Sequence, residues 1–536
     1  LAIAKREIFM NAKFRAAAAL ALILAAAPAS AQVYMRGNDS NPETLDQHKT
    51  STVAEANILR DLYEGLVVYD PSAQVIPGVA ESWEVSDDGT VYTFALRDDA
   101  RWSNGDPVTA GDFVYALRRI MLPETGAKYA NILYPIANAE AVNKGEADPT
   151  EMGVRAVDDK TLEITLAAPT PFFLELLTHQ TGLPVHPPSV EAHGADFVRP
   201  GNMVSNGAYT LEENTLNDRI VLVRNPNFHD AENVAIAQVN YLPFEDRATC
   251  VRAWEAGEVH SCSDLPAEDI ERLRAEHGDA VHVAPYLGTY YYAVNHDDEV
   301  LGDPRVRQAL SMVIDRDFLA SEIFQGTMVP ATSFVPPGIG NYPDGSPEID
   351  HFGMSMLDRE DQALALMEEA GYGPDNPVTI ELMYNTSENH KNAATAIADM
   401  WSLLGVNVEY NVRDASAHYA HLRDKGDFDV ARAGWIGDYS DPQNFLFMVE
   451  SDNDGFNYAN YNNPEYDALM DQAAAETDLA ARGDILRQAE ALFMRDLPFI
   501  PLLYYSSRSL VSPRLQGWED NIQNVHPSRF LSLSDG

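Results

Sequence analysis

Val378-Thr-Ile-Glu-Leu-Met-Tyr384, Lys391-Asn-Ala-Ala-Thr-Ala-Ile-Ala-Asp-Met-Trp-Ser-Leu-Leu404 and Val406-Asn-Val-Glu-Tyr-Asn-Val412 read as a strand, a helix and a second strand. The outer two runs are rich in β-branched and apolar residues. In the middle run Ala393, Ile397, Met400, Trp401 and Leu404 recur at helical spacing, and Gly405 stops the helix. Strand, helix and strand in this order predict a β-α-β unit with parallel strands, and hence an α/β fold. Ligands of such sheets sit beyond the carboxyl ends of the strands. Asn385 and His390 follow the first strand, and Trp435 and Asp438 follow a later one.

That later strand is read over Phe428 to Ala433 and runs into Ala431-Arg-Ala-Gly-Trp-Ile-Gly-Asp-Tyr439. This stretch holds a guanidinium at Arg432, an indole at Trp435 and a carboxylate at Asp438, with glycines at 434 and 437. A peptide zwitterion needs such a set: an anion for its ammonium, a cation for its carboxylate, exposed backbone for its amides and an apolar wall. Side-chain types alone also fit a surface ion pair beside a core tryptophan.

Further out, Asp361 to Ala370 reads as a helix stopped by Gly371, and Val91 to Leu96 as a strand. Thr109 is placed to cap a helix over Ala110 to Met121. Val154 to Val157 and Thr161 to Leu166 form a β-hairpin across Asp158-Asp159. Two extended runs, Pro285 to Asn295 and Phe499 to Val511, suit either buried strands or a pair of crossings between two lobes that close on a ligand.

The chain has 536 residues, which calls for two or three domains. Lys5, Arg6, Lys13 and Arg15 precede and flank an apolar run from Ala16 to Ala27, and Ala29-Ser30-Ala31 supplies a small-residue cleavage site. Residues 1–31 therefore read as a signal peptide, cleaved after Ala31, with Met10 giving a more usual signal length. No cysteine follows the cleavage site as a lipid anchor would require. A periplasmic location is expected.

Net charge is −45; removing residues 1–31, which carry four basic residues and one acidic, takes it to −48. Such a surface repels phosphate backbones and anionic lipid, so nucleic acid and membrane surfaces are not expected partners. Cys250 and Cys262 sit close in sequence in a chain bound for an oxidising compartment, and their pairing is left open. Nucleophile elbows, phosphate loops and zinc-protease signatures are missing from the sequence, and no enzyme activity, cofactor or metal is expected. His418 and His421, three apart, read as a solvated helix face.

Several blocks carry a family resemblance. They are Thr44-Leu-Asp-Gln-His-Lys49, Arg60-Asp-Leu-Tyr-Glu-Gly65, Pro77-Gly-Val-Ala-Glu-Ser-Trp83, Trp102-Ser-Asn-Gly-Asp-Pro-Val-Thr109, Asp112-Phe-Val-Tyr115, Pro200-Gly-Asn202, Ser205-Asn-Gly-Ala-Tyr-Thr210, Tyr384-Asn-Thr-Ser387 and Asp429-Val-Ala-Arg-Ala-Gly-Trp435. In this order the chain resembles the periplasmic oligopeptide-binding proteins of bacterial peptide ABC importers (extracellular solute-binding protein family 5). The resemblance implies a periplasmic-binding-protein-like two-lobed fold with a third, inserted domain. Domain I would comprise 32–63, 189–290 and 505–536, domain II 64–188, and domain III 291–504. The partners implied are an oligopeptide ligand and an inner-membrane permease complex, with the binding protein itself a monomer.

The resemblance also assigns roles. Asp438 would bind the peptide ammonium. Arg432, Arg423 and His390 would meet peptide carboxylates at different ligand lengths. Tyr129, Trp435 and Tyr505 would form aromatic walls, and backbone at Val53, Gly434 and Ile436 would pair with the ligand as with an added strand. The sequence departs from the family twice: Ser51 stands where relatives have a Glu near the ammonium site, and Glu322-Ile-Phe324 where they have a Lys. A dipeptide, a murein tripeptide or a non-peptide solute are alternatives of the same class. An exported peptidase is the alternative from another class.

Overall fold

The structure is a computed structural model that describes residues 32–534 apart from 39–40, 51, 245, 343–345, 350, 414 and 454. The proposed signal segment 1–31 and Ser51 lie outside the described residues. The main element is an eleven-stranded sheet. One half contains β1 (Val281–Val294), β2 (Val378–Asn385), β3 (Val406–Arg413), β4 (Val430–Ile436) and β5 (Phe499–Val511), in the order β3-β2-β4-β1-β5. The other half continues from β5 through Ser261–Cys262, Gln32–Asn38, Ile236–Pro243 and Arg219–Arg224 to Tyr209–Thr215.

The β-α-β unit is present. Strands β2 and β3 pair in parallel from Val378↔Val406 to Asn385↔Arg413, joined by helix α1 (Glu388–Ser402). Ala393, Ile397, Trp401 and Leu404 are buried beneath it, as their spacing predicts. The helix begins three residues earlier than the apolar period indicates, because its first turn is polar and starts directly after the extended residue Ser387. The helix expected at Asp361 likewise begins at Met356, where the Ser355 side chain accepts from Asp358 N. Strand β4 is displaced toward the C-terminus of the reading Phe428 to Ala433. Gly434 does not end it, since pairing with β1 continues from Val294↔Val430 to Gly288↔Ile436.

Strands β1 and β5 run antiparallel from Val281↔Leu510 to Ala293↔Phe499. At one end β5 pairs with Ser261–Cys262, and at the other β1 pairs with β4, so this antiparallel pair links the two halves of the sheet. Their register breaks between Pro285 and Thr289, where Pro285 has no N–H to give. Both aromatic runs are therefore paired, largely buried strands of this sheet.

A separate antiparallel sheet orders Ala80–Val85, Val91–Leu96, Thr161–Thr165 and Val154–Asp158, which includes the predicted hairpin. The helix Ala110–Met121 covers it with Phe113, Leu117 and Ile120 buried. The Asp112 carboxylate accepts from Thr109 N at 2.9 Å and closes the capping box. Cys250 and Cys262 form a disulfide with their Cα atoms 6.0 Å apart, which settles the pairing that the sequence left open. Among the described residues, no helix is long and apolar enough to cross a membrane.

Candidate functional site

The site grows from the register of β4. Gly437 N donates to Leu287 O at 2.8 Å and Asn295 N to Asp429 O at 2.9 Å. Hydrogen-bonded and non-bonded positions alternate along an antiparallel pair. Ala431, Ala433 and Trp435 therefore direct their backbone groups at β1, while Arg432, Gly434 and Ile436 direct theirs at the opposite edge. On that edge β2 pairs with β4 only at Leu382↔Val430 and Met383↔Ala431. Beyond Ala431 no described strand covers it, and the backbone of Gly434 and Ile436 is free to receive one.

Arg432 lies at the start of this open edge, 6% exposed. Its Nη1 donates to Asn385 Oδ1 at 3.0 Å and to Tyr419 Oη at 2.8 Å, and its Nη2 to Tyr505 Oη at 3.0 Å. The guanidinium carbon stands 4.6 Å from the centre of the Tyr290 ring, a cation–π contact. Its Nε is buried without a partner, and no described carboxylate pairs with it. Burial works against the charge, but the oxygens of Tyr290, Tyr505 and Tyr419 outweigh it and hold the pKa above the ordinary guanidinium value. Gly434 is required here: a Cβ would lie 2.5 Å from Tyr505 Oη and 3.3 Å from Arg432 Nη2.

Asp438 follows at the other end of the edge, on the loop after β4. Its side chain remains open to solvent on one side. The surrounding walls raise its pKa by desolvation, and a hydrogen bond from Tyr129 acts in the opposite direction. Tyr129 belongs to the segment that carries the four-stranded sheet, so this contact joins two separate parts of the chain. The loop is held just beyond Asp438. Tyr439 stacks on Phe172 at 4.7 Å and 4°, and Asp441 accepts two bonds from Arg482 at 2.7 and 2.8 Å in a fully buried pair.

Trp435 is half-buried, with Nε1 donating to Asn444 Oδ1 at 3.0 Å and its ring edge-on to Phe447 and Phe456. His390 reaches the Arg432 group through its Nδ1, 3.2 Å from Tyr290 Oη. Burial, then the charge of Arg432, lowers its pKa to about 3, so the ring is neutral near pH 7. Arg423 ends helix α2 (Ala415–Arg423) and is exposed, apart from the Arg432 group. Val53 opens the helix Val53–Leu62 and is 51% exposed. The geometry thus joins Arg432, Asn385, Tyr505, Gly434 and His390 in one group and Asp438 with Tyr129 in a second. Trp435 and Ile436 lie between them, and Arg423 and Val53 stay outside both.

The description "Bacterial extracellular solute-binding proteins, family 5 Middle" matches residues 74–457. The chain belongs to this family. The family 5 chain is 40% identical over 506 residues to the periplasmic oligopeptide-binding protein OppA of Escherichia coli strain K12, covering 93% of this chain and 92% of OppA. It superposes on the unliganded open form of the periplasmic murein tripeptide-binding protein MppA with a TM-score of 0.90 at 36% identity, covering 94% of this chain and 98% of the other. Against OppA of Haemophilus influenzae in complex with RPPGFSPFR the TM-score is 0.67 at 35% identity, covering 94% and 99%. Near-equal identity with unequal overlap means that its lobes are arranged as in the open relative. The fold is the two-lobed α/β fold of periplasmic binding proteins.

Three residues of this family 5 site escaped the sequence reading: Tyr290, Tyr419 and His418. Tyr290 lies directly opposite Gly434 in the β1–β4 register, so strand pairing would have found it. His418 corrects an expectation. It is fully buried, not on a solvated face, with Nε2 2.7 Å from Arg432 O. The helix turns this residue toward the sheet end, while His421 bonds Asp427 O at the margin. The departure at 322–324 also acquires a structure: Glu322 is exposed, and Phe324 is buried edge-on to Tyr290 at 5.4 Å. An aromatic wall therefore stands beside His390 where relatives are expected to offer a cation.

Proposed function

We propose that this chain captures extended oligopeptides in the periplasm and delivers them, chemically unchanged, to the permease of an ATP-driven importer. One observation carries the reading: an unpaired strand edge at Gly434 and Ile436 runs between a buried arginine that lacks a carboxylate and a solvent-open aspartate. A peptide laid on that edge gains main-chain hydrogen bonds whatever its side chains. Its ammonium meets Asp438 and its carboxylate supplies the anion that Arg432 lacks. Arg423 and His390 serve other ligand lengths, Tyr129, Trp435 and Tyr505 wall the ligand, and Val53 meets it from the opposite lobe.

Family 5 solute-binding proteins are binding proteins of transport systems and not enzymes. In the proposed organisation, segments 32–63, 189–290 and 505–536 form domain I, 64–188 is an inserted domain II, and 291–504 forms domain III. The mature protein begins after Ala31 and acts as a monomer. The separate four-stranded sheet of the 80–165 region supports the division.

The test is to release bound material from purified protein and identify it by mass spectrometry, then titrate defined peptides by calorimetry. Peptides with free N-termini should be found, should raise the melting temperature and should remain intact. A single non-peptide solute, or steady cleavage of peptide by homogeneous protein, would overturn the proposal.

A further inference from the structure

The open edge of β4 has a defined end. Its first backbone acceptor past the pairing with β2 is Arg432 O, because the carbonyls at 432, 434 and 436 face the same way. A ligand strand that pairs with Ile436 and Gly434 would meet this carbonyl next. It already accepts one bond, and from the side of the open edge: His418 Nε2 lies 2.7 Å from it. A carbonyl only accepts, so Nε2 carries the proton and Nδ1 is bare. Nδ1 is buried without a partner, in a side chain that is 0% exposed.

The neighbouring residue completes the grip. Tyr419 Oη accepts from Arg432 Nη1 at 2.8 Å, and the His418 and Tyr419 rings meet edge-on at 5.2 Å. One turn of α2 therefore holds Arg432 by its main chain and by its side chain. Burial lowers the His418 pKa, the hydrogen bond to Arg432 O acts against it, and the charge of Arg432 lowers it further. Besides Arg432, the charged and titratable groups facing it are Arg413 from β3, His421 from its own helix and His390 from α1.

We propose that His418 is a positioning residue that ends the ligand strand at Arg432 and so sets the length of peptide the site prefers. The inference rests on the peptide-binding reading above. An extended chain advances about 3.3 Å per residue, so the edge from Gly434 to Asp438 serves roughly three to four ligand residues. Longer ligands lose main-chain pairing at the His418 end and gain no hydrogen bond for the added residue.

The experiment is a calorimetric series of free-termini peptides, from tripeptide to hexapeptide, against wild type, His418→Gln and His418→Ala. Glutamine can donate its amide to the same carbonyl; alanine cannot. Wild type and His418→Gln should share one length profile. His418→Ala should raise the affinity of pentapeptide relative to tripeptide by about five- to tenfold, the worth of one hydrogen bond regained by the longer ligand. Ligand-free melting temperatures check that each variant folds, and His418→Val carries the same expectation should alanine not fold. Parallel length profiles for wild type and the alanine or valine variant would overturn the role of His418 alone. A wild type that bound none of the peptides would overturn the peptide reading, and this inference with it.

Discussion

Arg482 and Arg432 are both buried, yet they do different work. Arg482 is 1% exposed and forms two hydrogen bonds with the fully buried Asp441, which also accepts from Asn341 Nδ2 at 3.0 Å. Its charge is answered within the fold, and the pair fixes the loop that carries Asp438. Arg432, hardly more exposed, meets only hydroxyls, an amide and a ring face. Lack of a carboxylate is not enough to mark a site: buried Arg316 has none either, but its guanidinium donates to the backbone carbonyls of Pro501, Ser311 and Ile314. What sets Arg432 apart is that its neutral partners are side chains and its strand edge is open. A charge answered internally holds the frame, while one left for a ligand makes a site.

The largest effect should come from breaking the internal pair. Arg482→Met leaves Asp441 buried without its cation and should cost about 3–5 kcal/mol of stability. Denaturant unfolding of the ligand-free protein measures this, and a loss under about 1 kcal/mol would mean that the pair does not anchor the loop.

Asp438→Ala should do the reverse. Ligand-free stability should barely change, because the carboxylate is open to solvent. Affinity for peptides with a free N-terminus should fall about 10²- to 10³-fold, the cost of a buried ammonium without its anion. N-acetylated peptides should bind wild type poorly and respond less to the substitution. Calorimetry would place the ammonium elsewhere if the loss were under about fivefold.

Arg432→Met sharpens the contrast with Arg482→Met. Removing an unanswered buried charge should leave ligand-free stability within about 1 kcal/mol of wild type, or raise it. Short peptides should bind about 10- to 100-fold more weakly, and longer ones should lose less. An equal loss at all lengths would make Arg432 a structural residue after all.

The smallest effect concerns His390. Its pKa of about 3 lies below the ordinary histidine value near 6.5, so the unfolded chain binds its proton first as pH falls. Its contribution to stability is complete above about pH 6.5 and is lost progressively toward pH 3. His390→Gln should therefore lessen the acid-side loss of stability relative to wild type. Tripeptide affinity of the wild type should be flat between about pH 7 and 5, below the range in which the peptide's own ammonium titrates; a step near pH 6.5 would show that His390 takes up a proton with the ligand.

Local pattern determined much of this protein. The β-α-β unit, the cap at Thr109, the hairpin at 154–165 and the two long strands at 281–294 and 499–511 were legible because hydrophobic period, breakers and capping residues act within a few residues of one another. The stretch from Arg432 to Asp438 carried its chemistry in its residue types. Its division of labour was not legible. Gly434 read as the end of a strand, yet it is the point where the Tyr505 phenol closes on the backbone, from a residue 71 positions later. His418 read as solvated, because no local rule says that α2 lies against the end of β4. The partners of Arg432 and Arg482 likewise depend on contacts between distant segments. Short-range pattern thus sets which elements form and which charges are available. The tertiary structure alone decided which charges are answered and which strand edge stays open, because register and burial are set by residues far apart in the chain.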